Sequence, residues 1–441
     1  MTLHRTVLSG AAAVALLGAA ASAQAQPVEI QWWHAMGGAL GEKLEEIARN
    51  FNEAQDEYRV TPVYKGNYSE TMTAAIAAFR AGEQPHIVQV FEVGTATMMA
   101  AEDAIMPVYR LMEEAGEPFD PDAYLAAVTG YYTTSDGRML SLPFNSSTPV
   151  LYYSRDAFEQ AGLDPESPPE TWPELEEAAR AILEAGAAQC GFTTAWQSWV
   201  QLETFSAWHD VPFATKENGF AGLDTELVFN EGPALEHIAN MAEWQQDKVF
   251  DYGGRRNTPN AKFTSGECAM LTESSAGYAG IRDTAEFEFG VATLPYYPDQ
   301  GSAPQNTIIG GASLWVLAGH DSEEYGAAAR FFSYLSSPEV QADWHQFTGY
   351  LPITEAAYEL SKEQGLYEQN PGAETSILQM TGKEPTANSK GIRLGNFVQI
   401  RDILDEEMET IWAGQSSAKE ALDRAVERGN DLLRRFERAN R

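Results

Sequence analysis

The sequence predicts an α/β protein made of two lobes that are joined by hinge crossings. Removal of the first 25 residues leaves 416 of the 441, too many for one hydrophobic core and suited to two lobes of about 200 residues each. Strand and helix patterns alternate near the amino terminus, and a proline-bounded polar stretch then interrupts them. The composition is that of a globular protein, with 44% hydrophobic and 21% charged residues.

The alternation defines the first lobe. Strands are predicted at Val28–Trp33, Arg59–Tyr64 and His86–Val90, and helical apolar spacing lies between them. Strand, helix and strand at this spacing favour a parallel sheet, in which ligands collect at the carboxyl ends of the strands. Three residues lie at or after these ends: His34, Tyr68 and Glu92.

The interrupting stretch is Pro143–Tyr153. Four small polar residues, including Ser147, are enclosed by Pro143 and Pro149, and the apolar strand Val150–Tyr153 follows. Hydroxyl groups and free backbone N–H groups suit an anion or a polyol, and the prolines restrict the backbone. A polar turn before a core strand is the alternative interpretation. We predict that this stretch is the first crossing between the lobes and that it contacts the ligand.

A similar pattern recurs later in the chain. The apolar strand that contains Cys268–Met270 leads into the small polar residues of Glu273–Gly277, which we predict to be the second crossing. Phe287–Leu294 and Thr307–Ala318 are predicted to be strands that return to the first lobe, and Gly311 to bring the backbone close to a neighbour.

These crossings set the predicted domain boundaries. Residues 1–25 are a signal peptide, residues 26–145 with 276–319 form lobe 1, and residues 146–275 with 320–441 form lobe 2.

The amino terminus resembles a secretory signal. Two basic side chains precede the apolar run Val7–Ala21, and Ala23-Gln24-Ala25 supplies the small residues of a cleavage site. No cysteine lies near the cut, so a lipid anchor of the bacterial lipoprotein type is excluded. We therefore predict an exported, soluble protein located in the periplasm.

Charge and cysteine content limit the partners. The chain has 29 basic and 64 acidic residues, which argues against nucleic acid or an anionic membrane as partner because both need a positive surface. The two cysteines, Cys190 and Cys268, are compatible with a disulfide or with two buried thiols, and spacing alone does not decide between them.

Motifs for catalysis and metal binding are absent from the sequence. There is no H-E-x-x-H pair, C-x-x-C motif, P-loop, G-x-S-x-G elbow or EF-hand loop. With 64 acidic residues, a carboxylate pair of the glycosidase kind has little value as a signal. We predict a protein that is not an enzyme and has no cofactor or metal.

Polar and aromatic residues near the strand ends describe a ligand cleft instead. Hydroxyls, backbone N–H groups and aromatic faces with few charges suit a small polyol or its phosphate. Each residue also has an ordinary structural explanation, such as a core aromatic or a turn glycine. The candidates are Tyr68, Glu92, Ser147, Trp196, Trp199, Ser274, Gly311 and Tyr350.

Several runs carry a family resemblance over essentially the whole mature chain. They are Tyr64–Tyr68, Glu92–Met99, Pro143–Tyr153, Ile308–Trp315, Gly349–Thr354, Arg393–Asn396 and Gln399–Arg401. In these runs the chain is similar to the extracellular solute-binding proteins of ABC importers, in the maltose-binding-protein-like family, and within it to the members that bind sn-glycerol-3-phosphate.

The resemblance implies a type II periplasmic binding fold that closes on glycerol-3-phosphate or on glycerophosphodiesters such as glycerophosphocholine. It adds Arg401 to the eight ligand candidates. On physical grounds we expect Arg401 to be the fork that holds the phosphate, together with the hydroxyl groups and the Gly311 N–H. Glu92 should face the glycerol hydroxyls, and Trp196 and Trp199 should wall the pocket, where they can meet a choline cation.

The predicted function is therefore that of the periplasmic substrate-binding component of an ABC importer. The protein would act as a monomer, capture its small-molecule ligand by hinge closure and deliver it to a membrane permease, without nucleic acid as a partner. An oligosaccharide-binding protein of the same fold is the first alternative. A secreted hydrolase that uses a carboxylate pair is the second.

Overall fold

A computed structural model describes residues 26–134, 136–301 and 303–441. The predicted signal peptide lies outside the described residues. Ten strands form two separate sheets. The strands are β1 (Val28–His34), β2 (Tyr58–Tyr64), β3 (Ile87–Phe91), β4 (Ile105–Met106), β5 (Leu142–Ser147), β6 (Pro149–Ser154), β7 (Cys190–Thr194), β8 (Cys268–Ser274), β9 (Phe289–Ala292) and β10 (Gly310–Leu317).

Helices cover the sheets and supply most of the remaining chain. They are α1 (Gly38–Ala54), α2 (Tyr68–Ala81), α3 (Thr95–Ala100), α4 (Val108–Ala115), α5 (Ala126–Tyr132), α6 (Arg155–Gln160), α7 (Trp172–Ala185), α8 (Phe205–Trp208), α9 (Thr215–Asn218), α10 (Gly232–Gln246), α11 (Asn260–Thr264), α12 (Tyr278–Thr284), α13 (Ser322–Leu335), α14 (Pro338–Thr348), α15 (Glu355–Glu363), α16 (Leu366–Gln369), α17 (Thr375–Thr381), α18 (Phe397–Trp412) and α19 (Ala418–Ala439).

The first sheet has the order β2-β1-β3-β10-β4, and β5 also pairs with β10. β1 runs parallel to β2 and to β3, as the strand–helix alternation predicts. β10 runs antiparallel to β3, β4 and β5. The carboxyl ends of β1 and β3 therefore share one edge of the sheet with the start of β10. This edge positions the first half of the site.

The second sheet has the order β7-β8-β6-β9. β7 and β8 are parallel, with Cys190 directly opposite Cys268. Their Cα atoms lie 4.5 Å apart, and the two residues form a disulfide. The sequence alone was compatible with either a disulfide or two buried thiols. The disulfide lies at the amino ends of the two strands, so it is remote from Ser274 at the carboxyl end of β8.

Local sequence explains where several helices begin. α2 starts with a capping box formed by Asn67 and Glu70, and α7 starts with the predicted capping box of Thr171 and Glu174. In each case the cap side chain accepts from a backbone N–H that the helix itself leaves unpaired. The cap at Asn67 fixes the first residue of α2, Tyr68, at the edge of the first sheet.

Three chain passages meet where the sheets join. β5 ends at Ser147 and β6 begins at Pro149, so Thr148 alone connects the two sheets at the predicted first crossing. The Thr148 carbonyl accepts a hydrogen bond from the N–H of Ser275 (2.9 Å), and its hydroxyl donates to the carbonyl of Ile308 (2.9 Å). These contacts identify the hinge region.

Two segments pack elsewhere than predicted. The prediction that Phe287–Leu294 returns to the first lobe is wrong, because β9 pairs with β6 in the second sheet. Only the second predicted strand, observed as β10, joins the first sheet. In addition, α13 packs against β1 and α14 against α1, so this part of residues 320–441 covers the first sheet. α18 and α19 pack on α10 of the second lobe.

Aromatic side chains fill both cores. Trp32 of β1 packs edge-on against Phe144 and Phe331, with ring centroids 5.3 Å and 5.4 Å away. In the second lobe, Phe192 of β7 packs against Phe250 with centroids 5.1 Å apart. No helix in the described parts of the chain is both long enough and apolar enough to cross a membrane.

Candidate functional site

A cavity of about 450 Å³ lies between the two sheets, and all nine predicted ligand residues line it. The first sheet and its covering segments contribute Tyr68, Glu92, Gly311 and Tyr350. The second lobe contributes Trp196, Trp199, Ser274 and Arg401, and Ser147 lies next to the hinge. His34, which the strand-end argument also selected, is buried but does not line this cavity.

Tyr68 is held in place by a hydrogen-bond relay from the sheet. Its hydroxyl accepts from Asn145 Nδ2 (2.9 Å), and Asn145 Oδ1 in turn accepts from Gln89 Nε2 (2.8 Å). The Tyr68 ring stacks on Phe91 with centroids 5.3 Å apart. Burial raises the pKa of Tyr68 well above its ordinary value, so its hydroxyl stays protonated and can donate a hydrogen bond to a ligand.

Tyr350 lies in the irregular segment that follows the end of α14, and its position is fixed by contacts of that segment. The N–H of the next residue, Leu351, donates to the carbonyl of Ser146 (2.8 Å), which ties this segment to β5. The Tyr350 ring stacks on Trp344 with an interplanar angle of 8°. Burial also raises the pKa of Tyr350, so its hydroxyl is neutral, and it donates to the weak acceptor Met36 Sδ (3.8 Å).

The Gly310–Gly311 pair is required by close packing on both sides. Gly311 has φ +89, and a Cβ atom there would lie 1.8 Å from the carbonyl oxygen of Asn145. A Cβ atom on Gly310 would lie 2.3 Å from the ring of Trp199. The backbone of β10 therefore lies close to β5 at Gly311 and close to Trp199 of the second lobe at Gly310. The sequence predicted such a close backbone approach for Gly311.

Arg401 of the second lobe contacts one carboxylate of each lobe, Glu203 of its own and Glu92 of the first. Its Nε and Nη2 atoms contact both oxygens of Glu203 (2.9 and 2.6 Å), and Nη1 lies 2.7 Å from Glu92 Oε1. Although burial opposes it, the charges of Glu203 and Glu92 raise the pKa of Arg401. Burial raises the pKa of Glu203, which the charge of Arg401 opposes.

This arrangement corrects one expected role. The sequence suggested that Arg401 would hold a phosphate and that Glu92 would lie apart from it at the glycerol end. The two side chains are in direct contact, and the fork of Arg401 is already occupied by Glu203. The guanidinium is thus a neutralised group, so a phosphate placed on it would face two carboxylates.

A third carboxyl group, Glu273, also lines the cavity beside Ser274. Its Oε1 accepts from the N–H of Ser274 (2.6 Å), and the residue is 1% exposed. Burial raises the pKa of Glu273 to about 8, so the group is mostly protonated at neutral pH. It therefore adds little negative charge to the cavity.

Two groups in the described part of the chain have metal-ligating residue types. Cys190, Cys268 and Asp251 form one, but the cysteines are joined in the disulfide. His86, His320 and Glu324 form the other. His86 Nδ1 accepts from the N–H of Gln31 (3.0 Å), so Nε2 of the neutral ring carries a proton and faces Glu324 at 3.2 Å. The contact has the distance of an ion pair, but Nε2 is not aligned for a hydrogen bond to this carboxylate.

Comparison with known proteins shows the family. Residues 46–375 match the model of the bacterial extracellular solute-binding proteins. The chain is 52% identical over 440 residues to the sn-glycerol-3-phosphate-binding periplasmic protein UgpB of Escherichia coli (strain K12), covering 100% of this chain and 99% of the relative. The chain belongs to the bacterial extracellular solute-binding proteins.

Further relatives agree with this family. The UgpB protein of Salmonella typhimurium (strain LT2) is 51% identical over 442 residues, with 100% of both chains covered. The crystal structure of UgpB from Mycobacterium tuberculosis in complex with glycerophosphocholine has a TM-score of 0.77 at 22% identity, covering 92% of this chain and 98% of that one. Maltose-bound MalE3 of T. maritima has a TM-score of 0.74 at 19% identity, covering 92% and 100%.

The fold of this solute-binding protein is therefore the maltose-binding-protein-like, type II fold that the sequence predicts. Sequence reasoning missed Glu273, which lines the cavity, and Glu203, which does not line it but holds Arg401. A signal for Glu203 was present, since it is a lone acidic residue within the apolar run Trp199–Trp208. Glu273 ends the apolar strand β8, where a charged residue also needs an explanation.

Proposed function

We propose that this protein is the periplasmic substrate-binding component of a bacterial ABC importer and that it captures sn-glycerol-3-phosphate, glycerophosphodiesters such as glycerophosphocholine, or both. The observation that carries the proposal is the inter-lobe cavity that all nine predicted residues line. Relatives at 52% identity over the full chain bear the name of glycerol-3-phosphate-binding proteins, which supports this ligand class.

The phosphate lies at the end of the cavity that carries hydroxyls and backbone N–H groups. Tyr68, Tyr350, Ser147 and Ser274 provide hydroxyl donors there, and the N–H of Gly311 completes the set. Hydrogen bonds to an ionised acceptor are about twice as strong as neutral ones, so several converging donors can hold a phosphate without a free cation. Protonation of the neighbouring Glu273 keeps a negative charge away from it.

The glycerol hydroxyls lie at the Glu92–Arg401 pair. A hydroxyl is both a donor and an acceptor, and this ion pair offers a carboxylate oxygen and guanidinium N–H groups side by side. Glu203 fixes Arg401 from behind through two contacts. We therefore assign Arg401 to the glycerol end, which revises its expected role, and retain Glu92 there.

Trp196 and Trp199 form the wall of the second lobe. Trp196 is held with φ 45, and its N–H donates to the carbonyl of Arg256 (2.9 Å). An aromatic face there can meet the choline cation of a diester, an interaction worth about 0.5–2 kcal/mol. The same two rings suit an oligosaccharide, and this observation favours the sugar-binding alternative.

The cycle has no chemical step. The lobes rotate about Thr148 and the passages that contact it, and residues of both lobes surround the ligand. The closed monomer then delivers the ligand to a membrane permease.

Titration calorimetry with glycerol-3-phosphate, glycerophosphocholine and maltose tests the proposal. We expect heat of binding with at least one glycerol phosphate and none with maltose. Binding of maltose alone would replace the ligand class with a sugar. Turnover of a chromogenic glycoside or phosphodiester that is lost in Glu92→Gln would support the hydrolase instead.

A further inference from the structure

A second cavity, of about 310 Å³, lies between the lobes and shares no lining residue with the first. It is bounded by α5 of the first lobe, by the hinge segment that leads into β10 and by the loop that joins α17 to α18. Two charged residues of this loop, Lys390 and Arg393, line the cavity, and both lie close to the ring of Phe220. Nothing in the proposed transport cycle uses this cavity.

Arg393 extends from the loop to the first lobe. Its Nη2 donates to the carbonyls of Gly130 (2.9 Å) and Tyr131 (2.6 Å) at the end of α5. Its guanidinium lies 4.3 Å from the ring centroid of Phe220, which belongs to the second lobe. Nε is buried and has no hydrogen-bond partner among the described residues. The side chain therefore bridges the lobes with part of its donor capacity unused.

The charge of Arg393 is met by helix-end carbonyls and an aromatic ring and not by a carboxylate. Within residues 26–134, 136–301 and 303–441, no carboxylate oxygen lies within 4.0 Å of it, whereas the nearby Lys390 pairs with Glu217. Burial lowers the pKa of Arg393 to about 10. The other arginines of these ranges that lack a carboxylate partner are all exposed: Arg49, Arg80, Arg256, Arg435 and Arg438.

Arg393 is partly buried and has carbonyl and ring contacts but no carboxylate partner, so its charge is not fully neutralised, and this occurs in a chain with a net charge of −35. We propose that the second cavity is a binding site for a small oxyanion of the phosphate or sulfate type, held by Arg393. The planar guanidinium matches two oxygens of such an anion. The hydroxyls of Thr133 and Ser389 line the same cavity, whereas the hydroxyl of Thr134 already donates to Asp136.

The position of this site couples it to the hinge. Thr307, Ile308 and Ile309 form one of its walls, and the Ile308 carbonyl accepts from the hydroxyl of Thr148 at the first crossing. An anion on Arg393 stabilises the lobe arrangement in which this side chain reaches α5. By linkage, the anion then raises the affinity of the first cavity for its ligand, and that ligand raises the affinity for the anion.

Sulfate is the probe, and the comparison is made both with and without glycerol-3-phosphate, because this phosphate ester fills the first cavity but can also compete with sulfate for the second. Thermal unfolding is measured in increasing sodium sulfate against sodium chloride of equal ionic strength. The variants are Arg393→Gln and, as matched control, the exposed Arg435→Gln. We expect a sulfate-specific rise of the midpoint in the wild type and in Arg435→Gln, and its loss in Arg393→Gln. An equal rise in all three proteins overturns the site.

Equilibrium dialysis with labelled sulfate provides a second measurement that does not depend on stability. We expect one sulfate per wild-type chain and at least tenfold weaker binding in Arg393→Lys, which keeps the charge but loses the fork. Unchanged binding in Arg393→Lys overturns the assignment of the guanidinium. If the chain binds no glycerol-3-phosphate, the same comparison without it still tests the second cavity, since Arg393 does not line the first.

Discussion

Arg401 and Glu92 form an ion pair across the cleft, with 2.7 Å between Nη1 and Oε1. Arg401 lies on α18 of the second lobe, and Glu92 follows β3 of the first sheet. Glu203 occupies the other edge of the guanidinium. Two carboxylates thus share one buried cation, and for this reason we propose that Arg401 binds the glycerol hydroxyls and not the phosphate.

Removal of this cation should destabilise the protein strongly. Arg401→Met leaves Glu203 and Glu92 buried and close to each other, and an uncompensated buried charge costs about 3–5 kcal/mol. Urea unfolding at pH 7 measures the change in the free energy of unfolding. The double variant Arg401→Met/Glu203→Gln should recover much of the loss. A single-variant cost below about 1 kcal/mol would contradict the buried pair.

Glu92→Gln separates the two ends of the proposed site. Loss of a hydrogen bond to a charged group costs about 1.5–3 kcal/mol, so the affinity for glycerol-3-phosphate should fall about 10- to 150-fold. Inorganic phosphate reaches only the hydroxyl end, and its affinity, measured by competition calorimetry, should stay unchanged. An equal loss for both ligands would show that Glu92 acts on the phosphate end.

Glu273 should give the stability a characteristic pH dependence. Its folded pKa is raised from the ordinary 4.5 to about 8, so the native state binds the extra proton between these values. The stabilising effect of this proton is full below pH 4.5 and is lost as the pH rises through 8.

Glu273→Gln imitates the protonated form and removes this dependence. The difference in the free energy of unfolding between variant and wild type should therefore increase in favour of the variant from pH 5 to pH 8. Denaturant titrations at several pH values provide the measurement. A constant difference across this range would mean that Glu273 is ionised in the folded protein.

Gly311→Ala tests the close approach of β10 to β5. The substitution places a Cβ atom 1.8 Å from the Asn145 carbonyl oxygen. It also puts alanine at a φ of +89, which residues other than glycine rarely adopt. We expect the free energy of unfolding to fall by about 1–3 kcal/mol. Gly280→Ala is the control, because it lies in α12, lines the same cavity and has nothing within 4 Å of its Cβ position. Equal stability of both variants would refute the close approach.

Particular elements show how much the sequence alone could predict. The spacing of β1, β2 and β3 and the cap at Thr171 are local patterns, and the structure confirms them. The Pro143–Tyr153 stretch also identifies the first crossing, because prolines and small polar residues limit the backbone in a recognisable way. All nine residues of the candidate site lie at one cavity.

The remaining features depend on contacts between distant parts of the chain. β9 has an ordinary strand pattern, but the identity of its partner, β6, is not written in its own residues. The contacts of Arg401 with Glu92 and Glu203 arise only when α18 meets β3 and the segment after Trp199. These three residues are far apart in the sequence, so local patterns do not reveal that Glu92 and Glu203 neutralise the charge of Arg401 and limit what it can bind.

The central claim is that a glycerol phosphate binds at the hydroxyl end of the inter-lobe cavity. Thermal unfolding with glycerol-3-phosphate, in the wild type and in Ser147→Ala/Ser274→Ala, tests the ligand and its place together. Ligand at a hundred times its dissociation constant adds about 2.7 kcal/mol to the wild type, a visible rise of the midpoint. We expect that rise to be lost or strongly reduced in the double variant. No rise in the wild type, or an equal rise in both proteins, would contradict the account.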